Sequence, residues 1–400
     1  MSGSFIDDAS GARKTYDENC GDGETDVRFM REALALARRG LGSTRPNPMV
    51  GAVIVRSGEI VGRGWHERSG GPHAEVNAIA DAKSRGISDF TDATLYVTLE
   101  PCAHFGKTPP CADLVVATGI GRVVCAMIDP NPLVAGRGID VLRRAGVSVS
   151  VGIIERECRE LNRGFVKRVT TGLPYVTLKS AVSLDGKIAT SSGESQWITG
   201  EAARADAHLL RAECSAILTG IGTVLSDDPL LTPRGPVLPA IPPTRVVADT
   251  RLRIPLSSRL VASANEAPVI VVAGAETLAA SGRETSEKRT ALGAAGVRVV
   301  PVPERAGRLD LKELALLLAK EGLDSVLVEA GGTLAWAALE AGIVDRVRYY
   351  VAPVILGGIG LSAAAGAGAR TIADAPRMSG IRTRMAGDDL VVEGDLCSPA

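Results

Sequence analysis

Short β-rich runs alternate with segments of helical spacing along most of this chain. Met49–Val55 and Tyr96–Leu99 have the composition of strands, and His73–Ala82 between them has the apolar spacing of a helix. The alternation continues through the second half, where Tyr175–Val182 and Ser325–Val328 are two of several further strand-like runs. Strands that alternate with helices pack as layers around a sheet, so we expect an α/β fold.

The length of the chain predicts more than one hydrophobic core. It has 400 residues, and single cores rarely grow beyond about 250–300 residues. Residues 1–26 are rich in Gly, Ser, Asp and Glu, which predicts a flexible N-terminal tail. Arg168–Pro174 predicts a link, which places one domain at 27–171 and a second at 174–396.

Composition argues against nucleic-acid and membrane partners and favours a small-molecule partner. The 45 Lys and Arg residues balance 46 Asp and Glu residues, whereas binding to a phosphate backbone needs a basic face. Aromatic residues make up only 3% of the chain, too few for a base-stacking platform. No run approaches the length of a membrane span, and no signal peptide opens the sequence. The seven scattered cysteines do not form a disulfide framework, so we expect a cytoplasmic protein with reduced thiols.

One group of residues in the first half has the chemistry of a metal site. His73, Cys102 and Cys111 are ligand types that zinc prefers, and three protein ligands leave a fourth position open for water. Glu75 stands two residues after the histidine and is suited to carry protons beside a metal-activated water. This pattern is typical of zinc-dependent deaminases of nucleobase-like rings, although their second cysteine usually follows three positions after the first rather than nine. The alternative is a core histidine with two ordinary thiols, and we favour the metal.

Polar residues near this group are candidates for contact with a substrate. Asn47 lies between two prolines that hold its backbone extended, although a plain turn is the alternative. His66 could be a fourth zinc ligand or a substrate contact, and we favour the contact because Glu75 needs an open metal position. His104 and Lys107 lie between the two cysteines, where an anionic or hydroxyl-bearing substrate would meet them.

The second half carries weaker signals for a nucleotide. It contains no Gly-x-Gly-x-x-Gly fingerprint. Ser325–Thr333 predicts a strand, a turn with two glycines and the start of a helix, where backbone amides can approach a phosphate closely. Ser183–Lys187 and Gly193–Thr199 add polar groups after a strand. Each of these segments could also be an ordinary turn or loop.

The first half resembles the deaminase half of the bifunctional riboflavin-biosynthesis deaminase/reductase family, through TRPNPMVGAVIV, GGPHAEVNAI, TLEPCAHFGKTPPC and DPNPLVAGRGI. The wide spacing of the two cysteines is that family's own variant. The resemblance implies a cytidine-deaminase-like three-layer domain in which His73, Cys102 and Cys111 bind one Zn²⁺. It implies that an activated water replaces the ring 2-amino group of a ribosylamino-pyrimidinone 5′-phosphate made from GTP, with Glu75 carrying the proton. The implied substrate contacts are Asn47, His66, Ala103, His104, Lys107, Asp129 and Asn131.

The second half resembles the reductase half of the same family, through KSAVSLDGKIA, SGESQWIT, LLRAECSAILTGIGTVLSDDPLLTPR and LVEAGGTLAWA. This implies a dihydrofolate-reductase-like α/β domain that transfers hydride from NADPH to the ribosyl C1 and opens the ribose to a ribityl chain. The implied cofactor contacts are Ala181, Trp197, Thr223, Asp227, Thr250, Gly331, Gly332, Thr333, Leu334, Ala335, Trp336 and Ala337. The implied substrate contacts are Ser195, Arg211, Leu231, Arg234 and Glu329, with Lys179 and Asp185 completing the pocket floor.

Three hypotheses about function therefore follow from the sequence. The leading one is a two-domain enzyme that catalyses consecutive deamination and reduction in riboflavin synthesis. A second is a deaminase of free cytosine or guanine-type bases fused to an unrelated reductase, and a third is a non-catalytic, zinc-stabilised binding module. In the leading hypothesis, Arg211 and Arg234 would grip the substrate phosphate with charge-assisted hydrogen bonds. The oligomeric state stays open, and a homo-oligomer is compatible with the sequence.

Overall fold

The computed structural model of the protein describes residues 23–103, 110–132, 134–280 and 282–397. The chain divides into two compact units, with the boundary between Thr171 and Gly172. Each unit is built around its own sheet with helices packed on it, so the predicted α/β class is confirmed. No helix among the described residues has the length and apolar character needed to cross a membrane.

The first unit contains a five-stranded sheet in the order β2-β1-β3-β4-β5. Its strands are β1 (Gly51–Arg56), β2 (Glu59–Trp65), β3 (Thr94–Val97), β4 (Arg122–Cys125) and β5 (Ser148–Val151). Its helices are α1 (Gly23–Ala37), α2 (Ala74–Ser84), α3 (Cys111–Thr118), α4 (Arg137–Arg144), α5 (Glu155–Leu161) and α6 (Arg163–Thr171). Strand β1 pairs antiparallel with β2 and β3, whereas β3, β4 and β5 are parallel.

Alternate residues of β1 point to opposite faces of the sheet, and each face packs against a separate helical layer. Ala52 and Ile54 belong to an apolar cluster that includes residues of α2, α3 and α4. Val53 and Val55 belong to a second cluster that includes residues of α1 and α5. The unit is therefore a three-layer α/β/α structure. Gly64 allows α2 to approach the sheet closely, because a side chain there would collide with the backbone of Ala74. This close packing fixes the start of α2.

Helix α1 begins at Gly23, three residues before the predicted end of the tail at residue 26. The reason is a buried ion pair within its first turn. The Asp26 carboxylate is 2.7 Å from Arg122 Nη2 and accepts a hydrogen bond of 2.8 Å from the Tyr96 hydroxyl. These contacts bind residues 23–26 to β3 and β4. The rest of the predicted tail lies outside the described residues.

The predicted link between the two domains is shorter in the structure than in the sequence analysis. Helix α6 continues through Thr171, and the hydroxyls of Thr170 and Thr171 donate to the carbonyls of Val166 and Lys167. Gly172 then adopts φ +74°, a left-handed conformation that favours glycine at a helix end. Only residues 172–174 connect α6 to the next strand.

The second unit contains a nine-stranded sheet in the order β11-β10-β9-β8-β14-β6-β15-β18-β17. Its strands are β6 (Tyr175–Ser183), β7 (Lys187–Ala189), β8 (Ala216–Gly220), β9 (Thr244–Ala248), β10 (Val269–Gly274), β11 (Val297–Val302), β12 (Glu304–Arg305), β13 (Arg308–Leu309), β14 (Ser325–Glu329), β15 (Arg346–Ala352), β16 (Leu361–Ser362), β17 (Met378–Ala386) and β18 (Asp389–Leu396). The run from β11 to β15 is parallel, and the hairpin β17–β18 is antiparallel to it. Two further antiparallel pairs, β12–β13 and β16–β7, lie outside this sheet.

The helices of this unit cover both faces of its parallel strands. They are α7 (Glu201–Glu213), α8 (Ile221–Asp227), α9 (Arg259–Ala262), α10 (Ala275–Ala279), α11 (Arg283–Ala294), α12 (Leu311–Lys320) and α13 (Gly332–Glu340). On β14, Val326 and Val328 pack into one apolar cluster and Leu327 into the other. The carboxyl ends of the parallel strands are left uncovered by this arrangement, and ligands of such folds bind at that edge.

Candidate functional site

The three predicted metal ligands come together at the starts of two helices in the first unit. His73 is the N-cap residue of α2, and Cys111 is the first residue of α3. Cys102 follows β3. The His73 Nδ1 atom is 3.2 Å from Cys111 Sγ and 3.5 Å from Cys102 Sγ. Within the described ranges, these residues form a group of metal-ligating atoms that all lie within 4.8 Å of one another.

This group fits a tetrahedral zinc ion. Zinc lies at about 2.3 Å from sulfur and 2.0 Å from nitrogen, so neighbouring ligand atoms are roughly 3.5 Å apart. The distances from His73 Nδ1 to the two sulfur atoms, 3.2 and 3.5 Å, match this expected separation. Two thiols and one imidazole are also the donor set that zinc prefers over magnesium or calcium. The side chains present would therefore hold zinc with one position left for water.

The two thiols titrate differently. The thiol of Cys111 donates to Cys102 Sγ, and this hydrogen bond lowers the pKa of Cys102 to about 4, with His73 contributing in the same direction. The same contact raises the pKa of Cys111, because its proton is held between the two sulfur atoms. Zinc ligation requires both thiols to be deprotonated, so binding of the ion would release the proton that the two sulfur atoms share.

Glu75 lies in the first turn of α2 and is only 3% exposed. Burial raises the pKa of its carboxyl group to about 7, whereas a cation held by the neighbouring ligands would lower the pKa again. The carboxylate is not part of the metal-ligating group. Its place beside that group gives a carboxyl that can accept a proton and return it.

His66 lies next to the ligand group but outside it. Its ring is perpendicular to that of His73, with ring centroids 5.5 Å apart. The Nδ1 atom is 3.0 Å from the carbonyl oxygen of Pro72, and the Nε2 atom is 3.3 Å from the side-chain amide of Asn47. Burial lowers the pKa of His66, so the ring is neutral, donating to Pro72 and accepting from Asn47. With both nitrogen atoms engaged, His66 is not part of the metal-ligating group.

The remaining predicted deaminase contacts lie after β3 and β4. Ala103 directly follows the ligand Cys102. The Asp129 side chain accepts a hydrogen bond of 2.8 Å from the backbone N–H of Asn131. His104 and Lys107 lie outside the described residues.

A carboxylate that the sequence analysis missed, Glu100, organises the loop after β4. It is buried and accepts hydrogen bonds of 2.8–3.3 Å from the backbone N–H groups of Asp129, Gly136, Gly138 and Ile139. Four such donors stabilise a buried negative charge. Because Glu100 stands two residues before Cys102, it ties the ligand segment to the loop that carries Asp129. Its only sequence signal was a single acidic residue at the end of a buried strand.

The second unit has a large cavity along the carboxyl edge of its parallel strands. Its volume is about 1440 Å³, more than the 300–1,000 Å³ typical of a small-ligand site. The cavity is lined by most of the predicted reductase contacts: Lys179, Ala181, Ser195, Trp197, Arg211, Thr223, Asp227, Leu231, Arg234, Thr250, Glu329, Gly331, Gly332, Thr333, Leu334 and Ala337. The sequence-based set thus converges on one space that can hold a dinucleotide and a second molecule.

Three predicted reductase residues do not line this cavity. The Asp185 carboxylate instead accepts hydrogen bonds from the backbone N–H groups of Leu356 and Gly357, at 3.0 and 2.7 Å. Ala335 is fully buried in the apolar core under α13. Trp336 packs against Gly366, where a side chain would collide with the indole ring. Their contacts are therefore with the protein and not with the cavity.

The start of α13 provides the features that a phosphate group needs. Gly331 is its N-cap residue, and Gly331–Leu334 line the cavity with the first backbone amides of the helix. Gly332 is required by close packing, because a side chain there would collide with the carbonyl oxygen of Ser362. Trp197 is 68% exposed although it lines the cavity, an unusual state for a large apolar ring and one that a bound ligand would relieve. These features fit a nicotinamide dinucleotide.

Arg211 is paired with a carboxylate in the structure, whereas the sequence analysis assigned it to the substrate phosphate. Its Nε and Nη2 atoms donate to the two carboxylate oxygens of Glu329 at 2.7 and 2.8 Å. Lys179 Nζ lies 3.7 Å from the same carboxylate. Burial alone would raise the pKa of Glu329, but the positive charges of Arg211 and Lys179 outweigh it and lower the pKa to about 2. The guanidinium fork of Arg211 is therefore already occupied by a buried carboxylate.

Arg234 has the freer guanidinium group of the predicted pair. Its backbone N–H donates to His208 Nδ1 at 3.1 Å, and its side-chain Nε lies 3.3 Å from His208 Nε2. Burial, followed by the charges of Arg211 and Arg234, lowers the pKa of His208 to about 4. No carboxylate pairs with the Arg234 side chain within the described ranges, so its terminal nitrogen atoms can still meet an anionic ligand beside the contact with His208.

Comparison with known protein families gives two matches that together span both units. Residues 23–127 match the cytidine and deoxycytidylate deaminase zinc-binding region. Residues 174–392 match the RibD C-terminal domain. The two matches fall on the unit with the ligand group and on the unit with the cavity.

Curated relatives and solved structures agree with these matches. The riboflavin biosynthesis protein RibD of Actinobacillus pleuropneumoniae is 44% identical, over 94% of this chain and 96% of its own length. RibD of Escherichia coli is 46% identical, over 91% of this chain and 98% of its own length. Among solved structures, Acinetobacter baumannii RibD has a TM-score of 0.81 and 39% identity, with coverage of 94% of this chain and 100% of that one. A Thermotoga maritima deaminase/reductase has a TM-score of 0.80 and 35% identity, with coverage of 94% and 99%.

We expect Cys102→Ser and Cys111→Ser each to remove bound zinc, because a neutral hydroxyl is a much poorer zinc ligand than a thiolate. Metal content of the purified full-length chain, measured by mass spectrometry of the elements, provides the test. Cys158→Ser is the matched control, since Cys158 is a buried cysteine of the same unit outside the ligand group. Full zinc occupancy in both ligand variants would refute the assignment.

Proposed function

The chain belongs to the RibD family of riboflavin biosynthesis proteins, and from that premise we propose which residues carry its two reactions. It is a bifunctional enzyme with a deaminase domain followed by a reductase domain. The Thermotoga maritima relative is named a diaminohydroxyphosphoribosylaminopyrimidine deaminase and 5-amino-6-(5-phosphoribosylamino)uracil reductase. We assign the same two reactions, in the same order, to this chain. The observation that carries the assignment is that the predicted contacts converge on one group of zinc ligands and on one dinucleotide-sized cavity.

In the deaminase domain, His73, Cys102 and Cys111 would hold the zinc ion. Zinc, when bound in such a set, makes water a nucleophile near neutral pH. Glu75 takes the proton of the attacking water and delivers it to the leaving amine, so that water replaces the ring 2-amino group and ammonia departs. Its buried position in the first turn of α2 keeps this carboxyl beside the reacting atoms and away from bulk solvent.

The pyrimidine and its phosphoribosyl group would occupy the space beside the ligand group. We assign Asn47 and His66 to one wall, since their mutual hydrogen bond fixes the orientation of both side chains. Asp129 and Asn131 form another wall on the loop that Glu100 holds. Ala103, His104 and Lys107 complete the proposed contacts, and the last two would meet the anionic part of the substrate.

In the reductase domain, we propose that NADPH binds along the carboxyl edge of the sheet. When bound, NADPH would supply a hydride for the ribosyl C1, and a proton delivered to the ring oxygen would let the ribose open to a ribityl chain. The α13 start, with Gly331, Gly332 and Thr333, would hold a phosphate of the cofactor. Ala181, Trp197, Thr223, Asp227 and Thr250 would contact the rest of it.

We propose that the reductase substrate lies over Lys179, Ser195, Leu231, Arg234 and Glu329. Arg234 would bind the substrate phosphate, because its guanidinium group has no carboxylate partner among the described residues. Arg211 would act through Glu329, which it holds ionised and oriented. This division differs from an arginine pair that shares the phosphate, and it follows from the contacts of Arg211.

Membership of this family leaves the two other hypotheses without support. A non-catalytic zinc module would not require the reductase match over 174–392. An unrelated reductase fused to a free-base deaminase would not match RibD proteins over more than nine-tenths of the chain. We also assign the enzyme to the reducing cytoplasm, where free thiols such as Cys102 and Cys111 are stable.

Glu75→Gln should retain zinc but lose ammonia release by about 10²–10⁴-fold, because the amide keeps the shape of the side chain and cannot carry a proton. Ammonia release and zinc content are to be measured on the same preparation, with NADPH-dependent reduction of the deaminated intermediate as the internal control. Loss of zinc from this variant would mean that Glu75 is a ligand, and the proposed role would then be wrong.

Arg234→Ala should raise the KM for the deaminated intermediate about 10-fold or more, with little change in thermal stability, since it removes one charged contact to the substrate. Arg211→Ala should instead destabilise the reductase unit by about 3 kcal/mol, because it leaves Glu329 buried without its main partner. Steady-state kinetics and denaturation of the full-length chain distinguish the two effects. If the Arg211→Ala variant is as stable as the wild type and is altered only in KM, Arg211 binds the substrate phosphate and the proposed division of roles is wrong.

A further inference from the structure

The loop that carries Asn47 is fastened by the last two helices of the first unit. Asn162 lies between α5 and α6 and is only 4% exposed. Its Oδ1 atom accepts a hydrogen bond of 2.8 Å from the backbone N–H of Met49, and its Nδ2 atom donates to the Met49 carbonyl at 2.9 Å. One amide side chain, which has a donor and an acceptor side by side, thus satisfies both backbone groups of a residue 113 positions away.

Asn162 itself is held by the helices on either side of it. Its backbone N–H donates to the Cys158 carbonyl at 3.2 Å, and its carbonyl accepts a hydrogen bond of 2.8 Å from the Val166 N–H. Cys158 is fully buried in the apolar cluster that includes residues of α1, and Val166 packs against the same cluster. The amide that binds Met49 is therefore anchored in the core of the unit.

The position of Met49 is passed on to Asn47 through Pro48. A proline fixes its own φ and restricts the residue before it to extended backbone. On the other side, the backbone N–H of Asn47 donates to the Thr44 carbonyl at 2.8 Å. Asn47 is left with little backbone freedom, and its side-chain amide lies 3.3 Å from His66 Nε2.

A second residue of the same pair of helices contacts this loop. Arg168 lies on α6, and its Nη2 atom donates to the carbonyl oxygen of Pro46 at 3.1 Å. Pro46 and Met49 stand on either side of Asn47 in the sequence. The contacts from Asn162 and Arg168 therefore bracket the residue that we assign to the substrate.

The place of these contacts gives them more weight than ordinary hydrogen bonds of a core. Residues 44–50 contain turns but no helix or strand, and β1 begins only at Gly51. Because no ladder holds this backbone, its position depends on contacts from side chains. A misplacement of about 1 Å in a group that orients a substrate can cost roughly 10²-fold in rate. Loss of the Asn162 contact should therefore be felt at the substrate.

We propose that Asn162 is a positioning residue of the deaminase, which acts through Asn47, and that Arg168 supports it from the surface. The inference rests on the proposed deamination and on the assignment of Asn47 to the substrate. Both residues follow the segment 23–127 that matches the deaminase zinc-binding region. The helices after that segment thus contribute to the substrate pocket without touching the substrate.

Asn162→Leu tests this role, since leucine is similar in size and can neither donate nor accept a hydrogen bond. Arg168→Met is a second variant that removes only an exposed contact. Thr170→Val is the matched control, because Thr170 also lies on α6 and its hydroxyl donates within that helix. We expect Asn162→Leu to raise the KM of the diaminopyrimidine phosphate for ammonia release about 10-fold, and Arg168→Met to raise it less. In all three variants of the full-length chain, kcat, zinc content and NADPH-dependent reduction of the deaminated intermediate should stay at wild-type values.

A double-mutant cycle shows whether Asn162 acts through Asn47. In an Asn47→Ala background, Asn162→Leu should raise KM little further, because the contact that it positions is already gone. Amide hydrogen exchange over residues 44–50 gives a readout that is independent of turnover. Exchange there should be faster in Asn162→Leu than in Thr170→Val.

The other outcomes separate this inference from the proposed function. An unchanged KM in both Asn162→Leu and Arg168→Met would overturn the inference and leave deamination intact. Loss of zinc from Asn162→Leu, with an unchanged KM in Arg168→Met, would assign both residues to the fold alone. The same rise of KM in the wild-type and Asn47→Ala backgrounds would show that Asn162 does not act through Asn47. A wild type that releases no ammonia would refute the proposed function, and this inference with it.

Discussion

The proposed chemistry of both units depends on one constraint of α/β folds, namely that parallel strands meet with their carboxyl ends at one edge of a sheet. In the first unit, Cys102 follows β3 and Asp129 follows β4, and these two strands are parallel neighbours. In the second, Glu329 ends β14, and Thr250 follows β9 at the same edge. Residues that are far apart in sequence are thereby brought to one site without a dedicated binding domain.

The two ends of the reductase cavity differ in the pairing of their charged side chains. At one end, the buried Glu329 is neutralised internally by Arg211 and Lys179, so it adds no net repulsion toward an anionic substrate. At the other end, no carboxylate partner of Arg253 or Arg308 is found in the described part of the chain. A cavity wall with this charge favours an anionic group at that end.

The sequence predicted residues with distinctive chemistry and missed those that hold others in place. His73, Cys102 and Cys111 could be found because this donor set at this spacing has few other uses. Glu100 could not, since one glutamate after a strand has no characteristic pattern. The pairing of Arg211 with Glu329 spans 118 residues and depends on tertiary contacts. Strand β17 was missed because it is almost wholly exposed and lacks the alternation of a half-buried strand.

The central claim is that one chain performs hydrolysis at the His73–Cys102–Cys111 group and hydride transfer in the reductase cavity. The most direct test incubates the full-length zinc-loaded chain with the GTP-derived diaminopyrimidine phosphate, with and without NADPH, and determines the product masses. Without NADPH, the account predicts a single product in which oxygen has replaced one amino group. With NADPH, it predicts a second product that carries two additional hydrogens. Reduction of the substrate before its amino group is lost, or deamination that persists after zinc is removed, would contradict the account.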